Sequence, residues 1–198
     1  MQNELWFRPL IWMDYRIAVL FTVVAPLILL IWAFVQKAEA IQRLLTIYWR
    51  VASLLAITVY LLLAAAPVGF VSGLMARILI PISLCFWVDL NEEIEDQPSG
   101  ALKLGFNSWR WAVTVYNILG AIATLPALQC AFSEDAISGA FCRPWLEPAL
   151  MFKEYFHPNT EPGFLGFIAV FALIVYVLCL GYFVLFKLGK QGRSAMPQ

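Results

Sequence analysis

The sequence predicts an all-α fold, a polytopic membrane protein of about five transmembrane helices with its N-terminus outside and its C-terminus inside. Three observations predict it. The chain of 198 residues is 62% hydrophobic and only 13% charged, against roughly 45–50% and about 25% in soluble domains. A core of this size cannot hide so much apolar surface, so the bilayer is the expected solvent. Five apolar stretches are each long enough to cross a hydrocarbon core of about 30 Å at about 1.5 Å per residue. The tryptophans (Trp6, Trp12, Trp32, Trp49, Trp87, Trp109, Trp111 and Trp145) fall near predicted helix ends or in flanking segments, the pattern of an interfacial aromatic belt. Net charge is zero, which leaves no electrostatic case for nucleic acid. Residues 1–198 read as one transmembrane domain without an internal repeat or a soluble module.

The first span, 17–35, carries no charge and contains Pro26, which is expected to kink it, as membrane helices tolerate. The preceding "WFRPLIWMDYR" reads as an interfacial anchor. "AEA" at 38–40 has the form of a signal-peptidase site, but the apolar run before it is longer than a usual signal-peptide core, so the first span is read as retained. The second span is 47–66, with Arg50 in its first turn. Its boundary with the first is the least defined, because no Gly or Pro occurs between Pro26 and Pro67. The segment "VQKAEAIQRLLTIYWR" allows either a tight turn or a short surface helix, and Glu39 and Arg43 are spaced to support local helix. Pro67 breaks the chain, and the third span, 68–88, contains Arg77 and Pro81. The fourth span is 109–128 and the fifth 163–186, with a loop, 129–162, between them.

Five spans put the termini on opposite sides. Arg8, Arg16, Arg143 and Lys153 fall on one side. They are outnumbered by Lys37, Arg43, Arg50, Lys103, Arg110, Lys187, Lys190 and Arg193 on the other. The positive-inside rule makes the second side cytoplasmic. Cys130 and Cys142 then lie in a non-cytoplasmic loop, where disulfides persist. Closing a loop of this length contributes roughly 3 kcal/mol on the chain-entropy model. Two free thiols are the alternative. A redox-active pair is disfavoured by the lack of C-x-x-C spacing. Cys85 and Cys179 lie inside spans and read as packing residues.

Three features are candidates for function. Arg77 sits near mid-membrane, where a charge costs several kcal/mol and is a functional candidate by default. No Asp or Glu lies inside a predicted span to pair with it. Gly69, Gly73 and Arg77 share one helix face, and the GxxxG pattern lets helices approach closely. Asn117, Gly120 and Thr124 offer a polar, small-residue face at similar depth. Arg77 is expected to bond Asn117, helix-end carbonyls, a partner's acidic group or a lipid, or else simply to lock the bundle. The second feature is "DLNEEIED". Asp89, Glu92, Glu93 and Asp96 form an acidic stripe if the third helix continues. It could hold a hard cation, but a solvated face or a docking surface for a basic partner is the simpler reading. The third is the loop "RPWLEPALMFKEYFHPNTEPG", stiffened by Pro144, Pro148, Pro158 and Pro162. With Trp145, Phe152, Tyr155 and Phe156 it is too apolar for a free loop, and is expected on the membrane surface or against a protein partner. His157, the only histidine, is either hydrogen-bonded in the loop or an axial ligand to a pigment.

No serine–histidine–acid set, phosphate loop, HExxH or CxxC is present, and the spans lack the buried acids typical of proton-coupled carriers. The expectation is a protein that is not an enzyme. No motif specifies a cofactor or metal; chlorophyll, carotenoid or a bound lipid are the candidates that remain.

The segments "WFRPLIWMDYRIAVLF", "IWAFVQKAEAIQRLLTIYWRVASLLAITVYL", "FWVDLNEEIE", "KEYFHPNTEPGFLGF" and "GYFVLFKLGKQGRSA" together cover most of the chain. In them the sequence resembles an uncharacterised family of small multi-pass membrane proteins from cyanobacteria, a domain of unknown function. The resemblance implies an oxygenic phototroph, the thylakoid membrane and a lumenal 129–162 loop. It further suggests association with photosynthetic complexes during assembly, photosystem II above all. The expected function is therefore that of an assembly factor or accessory subunit, binding photosystem subunits or other membrane proteins. A small-solute or ion transporter with Arg77 in its path is the alternative.

Overall fold

The computed structural model describes residues 6–132 and 134–188. Within them the chain is all-helical, and five helices are long and apolar enough to cross a membrane. These are α1 (Arg8–Val35), α2 (Glu39–Leu63), α3 (Val68–Cys85), α5 (Ala101–Ala131) and α7 (Pro162–Phe186). Three shorter helices lie between spans: α4 (Val88–Asp96), a single turn at Glu134–Ile137, and α6 (Arg143–Phe156). The bundle has two distinct ends. The start of α1, α6 and the cysteine pair mark the disulfide end; α4 marks the acidic end.

α1 starts at Arg8, not at residue 17, because Pro9 suits a first turn, where its missing N–H is no loss. The charged anchor segment is thus continuous with the first span, and Asp14 lies inside the helix. Pro26 also acts differently from a simple kink. The helix widens into π-type turns over Val19–Val24. Pro26 has no N–H to give, so the Thr22 carbonyl loses its i+4 donor and the Phe21 carbonyl its i+5 donor. Neighbouring spans supply both. The Tyr48 hydroxyl donates to Thr22 O at 2.7 Å and the Trp109 indole N–H to Phe21 O at 2.8 Å. The Tyr48 and Trp109 rings then meet edge to face, 5.1 Å apart.

The α1–α2 connection is a tight turn. Lys37 adopts φ 55°, Ala38 N bonds Ala33 O and Lys37 N bonds Phe34 O, the paired bonds of a Schellman ending. The α2–α3 turn repeats the device with Ala65 at φ 52° and bonds from Ala66 N to Leu61 O and Ala65 N to Leu62 O. With the turn placed so early, 39–46 become the first two turns of α2. Ala40, Ile41, Leu44 and Leu45 are fully buried there, packed with Leu90 and Ile94 of α4.

α2 is the hub, touching α1, α3, α4, α6 and α7. α3 packs on it through the GxxxG face. A Cβ on Gly69 would lie 2.9 Å from Leu62 Cδ2, and one on Gly73 3.2 Å from Thr58 Cγ2. Thr58 and Ser72 hydroxyls meet across the same contact at 2.9 Å. α7 leans on α2 where a Cβ on Gly166 would strike the Ala64 methyl, and Tyr176 OH reaches Val51 O at 3.3 Å. α5 begins at Ala101 rather than 109, so Trp109 lies two turns inside it and is buried. It is a core residue, not a member of an interfacial belt. Cys85 and Cys179 are exposed on the bundle's outer surface rather than packed.

Replacing Tyr48 by Phe removes only the hydroxyl that serves Thr22 O. Thermal unfolding in mild detergent should show a loss of about 1–3 kcal/mol, the cost of an unsatisfied buried acceptor; an unchanged midpoint would mean that Thr22 O needs no outside donor.

Candidate functional site

Arg77 lies nine residues after Val68, about 14 Å along α3, near the middle of a hydrocarbon core of about 30 Å. Its guanidinium reaches away from the α2 contact into the junction of α1, α3 and α5. Nη2 pairs with the Asp14 carboxylate. Tyr116 of α5 donates its hydroxyl to the other carboxylate oxygen at 2.7 Å and also lies 3.0 Å from Asp14 O. The guanidinium carbon stands 5.4 Å from the Tyr116 ring centroid, a cation–π distance. Gly120, one turn further along α5, makes the room, because a Cβ there would overlap the Arg77 guanidinium. Three spans are therefore joined by one charge pair, one hydroxyl and one missing side chain.

This corrects the expectation that no Asp or Glu lies inside a span to pair with Arg77. Asp14 does, and a first span that starts nine residues too late leaves it outside the membrane. Asn117 is not a partner of the guanidinium. Its amide N–H donates to Val113 O in its own helix at 2.8 Å, and Asn117 is almost wholly buried. Gly69 and Gly73 serve the α2–α3 contact rather than Arg77 directly.

Beside the pair is a cavity of about 160 Å³, bordered by Asp14, Tyr15, Thr58, Arg77, Thr124 and Trp145. Arg77 Nη1 and Trp145 Nε1 are both buried without a hydrogen-bond partner, and both residues line this cavity. Two unpartnered donors on residues beside one cavity suit water or another small acceptor.

At the disulfide end, Cys130 and Cys142 are bonded, with Cα atoms 5.9 Å apart, and both are buried. The bond ties the end of α5 to the start of α6. α6 packs on α1 and α2 through Leu146, Pro148 and Ala149. Glu147 receives Arg8 Nε at 2.9 Å and Trp12 Nε1 at 3.2 Å. The expected apolar loop is thus an amphipathic helix docked on its own bundle. Trp145 stacks near Phe7, with centroids 6.5 Å apart, and Phe152 meets Tyr60 edge to face. Tyr155 and Phe156 point outward, 81% and 69% exposed. His157 Nε2 is 2.8 Å from the hydroxyl of Tyr60 in α2, so this histidine ties the loop to the bundle.

At the acidic end, α3 stops at Cys85 and the chain turns at Phe86 and Trp87 before α4. The stripe therefore sits on a separate helix held down by Leu90 and Ile94. Asp89 and Glu93 are half-buried; Glu92 and Asp96 are exposed. Among the described residues no group of three or more His, Cys, Asp or Glu side chains could hold a metal ion. The residues that sequence reasoning missed are Asp14, Tyr116 and Glu147. Asp14 alone carried a signal. Ile11 and Ala18, three residues before it and four after, place apolar side chains on its face of the helix, and all three border the cavity.

A family model described as a protein of unknown function (DUF3177) matches residues 8–196. The chain belongs to this family. No curated protein and no solved structure matches it.

Removing one member of the central pair strands a charge among apolar helices. Arg77→Leu or Asp14→Leu alone should cost about 3 kcal/mol, the low end for a broken buried pair because Asp14 keeps one-third exposure. The double variant should recover much of that loss in a thermal-unfolding cycle; additive losses would mean that the two charges are not coupled. At the disulfide end, Cys130→Ser with Cys142→Ser should cost roughly 3 kcal/mol, and a reducing agent should lower the wild-type midpoint but not that of the double variant.

Proposed function

We propose that this multi-pass membrane protein is a non-enzymatic assembly factor or accessory subunit of a photosynthetic complex in the thylakoid membrane, with photosystem II as the first candidate. In this setting the disulfide end faces the lumen and the acidic end the cytoplasm. The photosynthetic setting rests on the family resemblance. The observation that carries the helper role is the state of α7: only 6% of its membrane-crossing window is buried. Its outer face shows Phe164, Phe167 and Phe171, at the same end as the exposed Tyr155 and Phe156 of α6. Ring-rich apolar surface of this kind suits close contact with other membrane helices. Exposed Glu92 and Asp96 offer a second, charged contact at the opposite end.

The alternative is transport of a small solute or ion past Arg77, favoured by the cavity beside Arg77 and Trp145, each of which carries an unpartnered donor. Against it, the Arg77 charge is already answered by Asp14 within the chain, which makes the arginine a lock between spans rather than a free charge lining a path.

Gentle affinity purification in mild detergent separates the two. The helper reading expects substoichiometric photosystem subunits, with chlorophyll absorbance in the eluate. It also expects that Tyr155→Ala combined with Phe156→Ala lowers their recovery several-fold without shifting the melting midpoint, since both rings are exposed. A colourless protein recovered alone, with a flux defect on deletion, would replace this reading with transport.

A further inference from the structure

A groove of about 430 Å³ lies between α3 and α7, floored by α2. Its walls include Ile47 and Val51 of α2, Leu79 and Ile82 of α3, and Leu180 and Phe183 of α7. Trp87 and Phe183 meet across it near the acidic end, 6.0 Å apart. α7 packs chiefly on α2, and the groove lies between it and α3. Among the described side chains one charged residue lines it, Arg50. Arg50 is exposed, and among the described residues no acid forms an ion pair with it.

Arg50 lies thirteen residues before Leu63, about 20 Å by helical rise, so it stops about 10 Å short of the far face of a hydrocarbon core of about 30 Å. An unpaired guanidinium at that depth is costly unless it snorkels to the interface or finds an anion. The apolar walls below it and the single cation at their margin match one amphiphile: hydrocarbon in the groove and a negative head group at its mouth.

We propose that this groove is a binding site for an anionic phospholipid, with an acyl chain lying between α3 and α7 and the head-group phosphate paired with Arg50. Charge favours a lipid over an apolar partner helix, which would leave the Arg50 guanidinium unanswered. An extended acyl chain needs only a narrow slot and leaves the phosphate free to meet the guanidinium, an arrangement in which basic positions between membrane helices recognise acidic head groups. The lipid would fill the gap that holds α7 apart from α3, and so would fasten the least buried span to the rest of the bundle. The site does not depend on which complex the protein joins.

The test uses purified, delipidated full-length protein. Phosphatidylglycerol or phosphatidylcholine is titrated in mixed micelles, thermal unfolding is followed, and bound lipid is read by native mass spectrometry. The expected result is a concentration-dependent rise in the midpoint and a retained lipid mass with phosphatidylglycerol, and little of either with phosphatidylcholine. Arg50→Gln should weaken the apparent affinity for phosphatidylglycerol about fivefold, and Arg50→Lys should restore most of it. Ile82→Trp, at a half-exposed position on the groove wall, should abolish the retained lipid. Equal response to the two lipids, or an unchanged phosphatidylglycerol response in Arg50→Gln, would overturn the proposal. So would recovery of a protein segment, rather than lipid, cross-linked at position 50.

Discussion

The structure depends on a requirement that hydrocarbon imposes: a backbone carbonyl inside the bilayer must find a donor within the protein. Pro26 withdraws its N–H from the middle of α1, and two carbonyls fall vacant there, those of Phe21 and Thr22. The donors that fill them come from two different helices, through Trp109 and Tyr48. A local defect in one span thereby fixes the rotation of α2 and α5 against α1. The edge-to-face contact of the two donor rings couples those rotations to each other. Around this knot the largest hydrophobic cluster assembles, reaching from Leu29 and Ala33 through Ile41 and Leu44 to Ile94.

Arg77 and Asp14 form a second junction, of α1, α3 and α5. α3 enters through a charge pair, with Tyr116 placing the carboxylate and Gly120 admitting the guanidinium. Polar bonds therefore specify where the spans sit, while apolar packing supplies most of the attraction. That division suits helices whose surroundings are as greasy as their side chains, because lipid offers no hydrophobic drive for one helix to prefer another.

The number and nature of the spans were legible in the sequence because hydropathy sums over many residues, and a few misassigned ends do not change the sum. The ends themselves were not legible, for identifiable reasons. The start of α1 carries Arg8, Asp14 and Arg16, which read as an interfacial anchor outside the span until Glu147 and Arg77 supply partners from far along the chain. The turn at 36–38 contains no glycine, although Lys37 takes the left-handed conformation that glycine favours, so the usual punctuation was missing. Trp109 resembled a belt residue because its acceptor, a carbonyl freed by a proline in another helix, leaves no trace in its own neighbourhood. Arg77 stood out as a lone intramembrane charge. Its counter-ion did not, because helix boundary and pairing must be known together: Asp14 is in a span only if the helix begins early.

The pairing of Asp14 with Arg77 also bears on the order of biogenesis. The two charges lie on the first and third spans, so α1 is synthesised well before the residue that neutralises it. Each span alone carries a charge that hydrocarbon penalises by about 3 kcal/mol, and each loses that penalty only beside the other. Asp14, near the start of α1 and one-third exposed, can stay close to water until α3 emerges, and the three spans then enter lipid with both charges answered.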